Sequence, residues 1–399
     1  MKLAISHEVY EERIADVREE LSRRGAEALV LFAAKKIAYL FGYHLVSTER
    51  PLAVVLPTEG AVLAFLPRLE VETAQQVPLI DEIESYFDYP GERPTLESFG
   101  EILREKGLCG NKIVADSDGY PALYGYEGPR LSDLLPDTHV EVAPEVVTRM
   151  WQIKSREEIE LIRASAVWGN LAHAKLREAI YPGVSEIEVS LYASYTASVE
   201  MLLALGSEYG RHFAVHFGGG IPAHAGLVSG ERTAFPHAMS LNRWIRPGDL
   251  LITAASASVG GYMSELERTL IVGEPSPEQA RYFALMLEAQ TIGIEESGPG
   301  VPLARVDERV MDYLVRSGME KYLRHHTGHH LGYEGHEPPF IDRASQGVMQ
   351  VGQVFSIEPG IYIPGHGGYR HSDTILITRD GVEVLTYYPR SLEDLIVPI

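Results

Sequence analysis

Residues 248–270 read GDLLITAASASVGGYMSELERTL, and the reading of this stretch decides the fold. Leu250, Leu251 and Ile252 lead into a run of small residues, Gly260-Gly261 breaks it, and Tyr262, Ser264 and Leu266 then alternate with Met263, Glu265 and Glu267. This pattern predicts two short strands joined by a turn. Period two places Glu265 and Glu267 on one face, where two carboxylates repel each other unless they meet a cation. A solvated strand face with Arg268 nearby is the ordinary setting for such a pair.

Size and composition set the frame. The 399 residues suffice for two domains, and 45% apolar with 23% charged content is ordinary for a globular chain. No window of about 18 uncharged apolar residues occurs, and the opening MKLAISHEVYEERIADVREE lacks an apolar core of signal-peptide length, so a cytoplasmic protein with no membrane partner is expected. One cysteine, Cys109, excludes an intrachain disulfide and a cysteine-based metal cluster. A net charge of −21 would repel nucleic acid.

In chain order, Ile14, Val17 and Leu21 recur at helical spacing, and Ala28–Phe32 reads as a buried strand, an α/β opening. Leu52–Pro57 and Gly60–Leu66 predict a strand pair, Ser98–Lys106 a helix and Lys112–Asp116 another strand. Ser155-Arg156-Glu157-Glu158 is a capping box, opening a helix with Ile159, Ile162, Ala166 and Leu171 inward, and the domain boundary is placed just before it. A second helix is expected from Ser185 through Tyr192, Val199 and Leu202, and then strands with short helices around Pro277–Ser297 and Leu303–Gly318.

Histidines concentrate after residue 210, among them His212, His216, His224, His237, His366 and His371, and HHTGHHLGYEGHEPP, residues 325–339, holds four in six positions between glycines. In VFSIEPG, residues 354–360, Glu358 ends an apolar strand, where a charge is costly unless paired. One pocket lined by His237, Glu265, Glu267, His329, His336, Glu358, Arg370 and His371 is expected.

Taken in order and spacing, SREEIELIR, PGDLL, GGYMSELERT, HHTGHHLGYEGHEPP, FSIEPGIYIPGHGGYR and SDT resemble the creatinase and aminopeptidase P family. The resemblance spans nearly the whole chain. It implies an α+β protein of two domains, an N-terminal creatinase-type α/β domain over 1–150 and a catalytic pita-bread domain with a curved antiparallel sheet over 151–399, usually as a homodimer. Metallopeptidase members hold two divalent ions with two Asp, one His and two Glu. By the resemblance these positions are Ala254, Glu265, His329, Glu358 and Ser372 here. Alanine cannot bind a metal and two carboxylates are gone, so no metal and no cofactor are expected.

The set therefore resembles the metal-free branch, in which Glu267 matches a substrate-binding carboxylate and His237 a catalytic histidine. His371 stands where the creatine-cleaving members carry a carboxylate. What this implies is metal-independent hydrolysis of the cyclic amidine ectoine to N-acetyl-2,4-diaminobutyrate through a glutamate-linked intermediate, with a deacetylase downstream. The expected roles are nucleophile for Glu265, amidinium partner for Glu267 and general acid/base for His237. His329, His336, Glu358 and His371 would orient the substrate, and Arg370 would meet its carboxylate. Hydrolysis of another amidine or guanidine, and a metal-depleted Xaa-Pro peptidase relative acting as a binding protein, remain the alternatives.

Overall fold

A computed structural model describes residues 3–87, 94–121, 126–206 and 221–399, so His212 and His216 lie outside the described residues. Residues Ile5–Met150 fall in one compact unit and the described residues from Trp151 on in another.

The first unit opens with helix His7–Arg24. Ser6 Oγ accepts the Val9 amide, Gly25 closes the helix in the left-handed region, and Ile14, Val17 and Leu21 are its buried apolar positions. Six strands follow: β1 (Ala28–Leu31), β2 (Ala53–Pro57), β3 (Leu63–Pro67), β4 (Glu82–Tyr86), β5 (Lys112–Ala115) and β6 (His139–Val142). They form one mixed sheet in the order β4-β3-β2-β1-β5-β6, with β2 antiparallel to both its neighbours and the outer pairs parallel. The helix before β5 runs Thr95–Glu105.

In the second unit the strands are β7 (Ala223–Ser229), β8 (Leu250–Val259), β9 (Tyr262–Met263), β10 (Leu266–Val272), β11 (Gly328–His330), β12 (Glu337–Ile341), β13 (Val354–Ile357), β14 (Gly360–Ile363), β15 (Gly367–Arg370), β16 (Ser372–Thr378), β17 (Gly381–Val384) and β18 (Ile396–Val397). The main sheet is curled and runs β12-β11-β13-β16-β10-β8-β7, with β9, β17 and β18 added at its sides; it is antiparallel except where β18 joins β10. This is the two-domain pita-bread architecture, a creatinase-type N-terminal domain and a curled antiparallel sheet. Gly260 and Gly261 make the turn between β8 and β9 with φ of 60° and 86°, values that favour glycine at both positions of a tight hairpin. The same register carries on into β10 after a break at Ser264-Glu265, pairing Leu266 with Ala255 and Glu267 with Ala254.

Two helix pairs support this sheet. Helix Arg156–Ala179 begins with the reciprocal Ser155–Glu158 capping box, and its buried side runs through Leu161, Ile162, Ala166, Ala172 and Leu176, so Ile159 and Leu171 sit at the margin of the stripe rather than in it. Helix Glu186–Leu205 departs further from the sequence reading, because Tyr192, Val199 and Leu202 face outward. The cause is what the helix rests on. Ser194 and Ser198 bond the amide and carbonyl of Ala225 and Ala223 in the edge strand β7, and only small neighbours such as Ala193 and Ala197 allow that approach. Helices Pro277–Glu295 and Leu303–Arg316 stand where helices are expected, and Leu303 and Val306 join Ile341, Phe355, Ile357 and Ile375 in an apolar core.

Candidate active site

A cavity of about 910 Å³ opens on the second unit, and His237, Glu265, Glu267, His336, Glu358 and Arg370 all line it. Glu265 lies in the break before β10, where its amide donates to Thr374 Oγ1 at 2.8 Å and that hydroxyl donates back to the Glu265 carbonyl at 2.9 Å. Ser372 Oγ then donates to Glu265 Oε1 at 2.6 Å. Two positions on, Glu267 points into the same cavity, as period two requires. The two glutamates and Glu358 bring carboxylate oxygens within 4.8 Å of one another.

Cations hold this acidic group together. Arg370, at the end of β15, forms an ion pair with Glu267, its Nη2 donating to Oε1 at 2.6 Å. Burial pushes the Glu267 carboxyl up, Arg370 pulls it down, and Glu265 and Glu358 add repulsion, leaving it at about 7. Despite burial, the Arg370 guanidinium is held firmly cationic by Glu267, Tyr362 and Glu358.

His329 is the second cation. It is fully buried on β11, its Nδ1 donates to the His330 carbonyl at 3.1 Å, and its Nε2 faces Glu358 at 3.2 Å and Glu265 at 3.5 Å. Burial works against the charged ring, but the two carboxylates outweigh it and raise His329 to about 10. Burial likewise opposes the Glu358 carboxylate, which His329 nevertheless holds down at about 2. His336 stacks on His329 with ring centroids 3.7 Å apart, and partial burial together with the neighbouring His329 charge lowers it, leaving a neutral ring at the rim. His237 is exposed on the loop after Ala234 and borders the cavity.

One expected site residue is absent from this group. His371, the residue between β15 and β16, is fully buried, edge-on to Phe283 at 5.2 Å, and burial plus the nearby Arg268 and Arg390 charges keep it neutral. The reason is alternation: Arg370 and Ser372 point to the carboxylates, so the residue between them points away. Arg268 is not the solvated neighbour that the plain strand reading supposes. It is completely buried, bonded to Asp373 at 2.8 Å and to the carbonyls of Glu267, Ser372, Tyr388 and Pro389.

Tyr362 and His325 escaped the sequence reading. Arg370 Nη1 donates to Tyr362 Oη at 3.2 Å, and His325 Nε2 meets the same hydroxyl at 2.8 Å. The signal was available for His325, the first residue of the dense histidine run. Tyr362 has only its place four residues after Glu358.

The donor set does not fit two metal ions. Position 254 offers a methyl group beside Glu267 in the ladder, and the Ser372 hydroxyl is committed to Glu265. Among the described residues two overlapping groups, Glu265 with His329 and His336 and Glu265 with Glu267 and Glu358, each bring three donor atoms within 4.8 Å, but they share Glu265, and His329 and Arg370 already pair with these carboxylates.

The model of metallopeptidase family M24 matches residues 160–379, and that of the creatinase/prolidase N-terminal domain matches residues 13–150. A relative in Mycobacterium bovis, a probable dipeptidase PepE, is 31% identical over 98% of each chain. Among solved structures, dipeptidase PepE from Mycobacterium ulcerans superposes with a TM-score of 0.82 at 27% identity, over 99% of this chain and 100% of that one. Xaa-Pro dipeptidase from Bacillus anthracis gives 0.80 at 26% identity, over 97% and 99%.

Proposed function

Because the chain belongs to metallopeptidase family M24, a family of hydrolases, we propose that it hydrolyses a C–N bond of a cationic amidine without a metal ion, and that the cyclic amidine ectoine is its substrate. The observation that carries this reading is charge. Among the described residues three carboxylates, Glu265, Glu267 and Glu358, stand together beside His329 and Arg370, with Arg324 also on the cavity wall, and Glu267, at about 7 in the free protein, is the group that a cation placed beside it would ionise. An amidinium is a planar cation that pairs with carboxylates, and its central carbon is electrophilic without a Lewis acid. A carboxylate on the same molecule would draw Arg370 away from Glu267, so a zwitterion exchanges one internal ion pair for two pairs with the protein.

The steps balance with one water. Glu265 adds a carboxylate oxygen to the amidine carbon, and the bond from that carbon to one ring nitrogen breaks as His237 delivers a proton to the nitrogen. Water then adds to the glutamate-linked carbon, giving one proton to His237, and as the bond from that carbon to Glu265 breaks the second proton passes to the freed amine. Its oxygen becomes the amide oxygen of the released N-acetyl-2,4-diaminobutyrate, and Glu265 is restored. Glu267 holds the amidinium, while His329, His336 and Glu358 fix the geometry around it. Of the expected substrate-binding set, His371 has no part in this. The product is an acetamide, which a deacetylase would consume.

A second reading, hydrolysis of a dipeptide, is favoured by the names of the relatives and by the Glu265, His329 and His336 donors, which would suit one ion. The two readings separate when the chelated protein and the same protein with added manganese are given ectoine or an Xaa-Pro dipeptide and the products are weighed by mass spectrometry. Ectoine opened equally well in both samples supports the first. Cleavage of the dipeptide alone, and only with manganese, overturns it.

A further inference from the structure

Four residues stand side by side across the curled sheet: Gly226 on β7, Ala254 on β8, Glu267 on β10 and Ser372 on β16. Residues paired across a ladder share a face, so this row carries the binding carboxylate next to a methyl group and then to no side chain at all. The missing atoms leave a hollow. A cavity of about 360 Å³ lies there, walled by Ile187, Leu191, Leu227, Ile252 and Met239, and it shares Phe235, Pro236, Ala238 and Arg370 with the catalytic cavity. Among the described residues no carboxylate lines it, and Arg370 is its one charged group. The polar groups around it include the hydroxyls of Ser190, Ser194 and Ser240, all three engaged with backbone: Ser190 with the Glu186 carbonyl, Ser194 with Ala225 and Ser240 with the Leu227 carbonyl.

We propose that this hollow is a second compartment of the active site, which takes an apolar substituent on the substrate's amidine carbon; the assignment rests on the amidine reading above. With the amidinium on Glu267, the position next along the row is Ala254, so a substituent on the carbon between the two nitrogens is aimed past Ala254 toward Gly226. A methyl group occupies little of this space. Substrates with a longer alkyl chain at that carbon therefore bind more tightly, because each added methylene leaves water for an apolar wall, which amounts to about fourfold in affinity.

The test uses the full chain, freed of metal by chelation, and three probes: tetrahydropyrimidine-4-carboxylates carrying methyl, ethyl or propyl at the amidine carbon. Calorimetric affinities should tighten about fourfold per methylene in the wild type. In Gly226→Val, where an added Cβ meets only ordinary contacts 3.5 Å from His224 Cε1 and 3.6 Å from Ser190 and Ser240 Oγ, the gain should vanish while the methyl compound keeps its affinity within about threefold. Gly226→Ala gives a smaller loss in the same direction and serves if the valine variant does not fold. Affinity that stays level or weakens with chain length in the wild type overturns the compartment, as does a gain that survives both substitutions. Turnover is followed in parallel. Tightening without hydrolysis of any probe defeats the reaction but keeps the compartment, hydrolysis of the methyl compound without tightening does the reverse, and absence of binding by all three defeats both.

Discussion

Ser372 Oγ donates a 2.6 Å hydrogen bond to Glu265 Oε1, so this hydroxyl fixes one oxygen of the neighbouring carboxylate. Such a charge-assisted bond contributes roughly 1.5–3 kcal/mol and leaves the other oxygen, Oε2, on the His329 side, 3.5 Å from its Nε2. Ser372→Ala should therefore lower kcat by about tenfold or more with little change in KM, since it releases the attacking group without touching the substrate. A change confined to KM would show that the bond does not serve the chemistry.

Metal content follows from the same pair. Purified protein should hold no stoichiometric divalent ion and should keep its activity after chelation, because Ala254 and Ser372 supply no ligand. Elemental analysis finding two tightly bound ions per chain would sink the metal-free mechanism.

The two glutamates should fail differently. Glu265→Gln keeps shape but has almost no attacking power, so it should bind ectoine and give neither turnover nor a protein adduct. Glu267→Gln loses an ion pair and should mainly weaken binding, by roughly 1.5–3 kcal/mol. Quenched wild-type protein should carry its adduct on the peptide spanning Ser264 to Arg268. An adduct located on Glu267 would exchange the two roles.

His237 lines the cavity from an exposed loop, so its removal leaves the core intact. His237→Ala should lower kcat about a hundredfold or more with an unchanged urea unfolding midpoint. Full activity in that variant removes the residue from proton transfer.

Glu267 sits at about 7 in the free protein, and an amidinium beside it favours the ionised form. Binding of a cationic substrate at pH 7 should therefore release about half a proton, and kcat/KM should rise with pH through the neutral range. Calorimetry in two buffers of different ionisation enthalpy reads the release directly. Proton uptake on binding would contradict the assigned partner.

How much of this was legible beforehand depends on which interactions are local. The Glu265/Glu267 alternation, the Gly260-Gly261 turn and the Ser155–Glu158 cap are all written within a few residues, and each stands in the structure as its spacing implies. The resemblance carried the two-domain architecture. What failed was sidedness over longer range. His371 belongs to a histidine-rich half but points into the core, because Arg370 and Ser372 already claim the pocket side. The outward face of helix Glu186–Leu205 was misread because its burial is set by the serines that bond the backbone of β7, a contact no helical periodicity encodes. Tyr362 was missed since only the fold brings it to Arg370.

The buried Arg268 imposes an order in time. It sits one position from Glu267, yet its Nε donates to the Pro389 carbonyl at 2.8 Å, 121 residues further along, and β18 near residue 397 supplies a last partner strand to β10. During synthesis the strand bearing the glutamates therefore leaves the ribosome long before the groups that seat its arginine exist. Until then Asp373 and the carbonyls of Glu267 and Ser372 seat the guanidinium only in part, and its Nε has no acceptor, which makes burial costly. A nascent or clipped chain that stops short of residue 388 thus carries every candidate catalytic side chain while the arginine beside Glu267 still lacks the carbonyls of Tyr388 and Pro389.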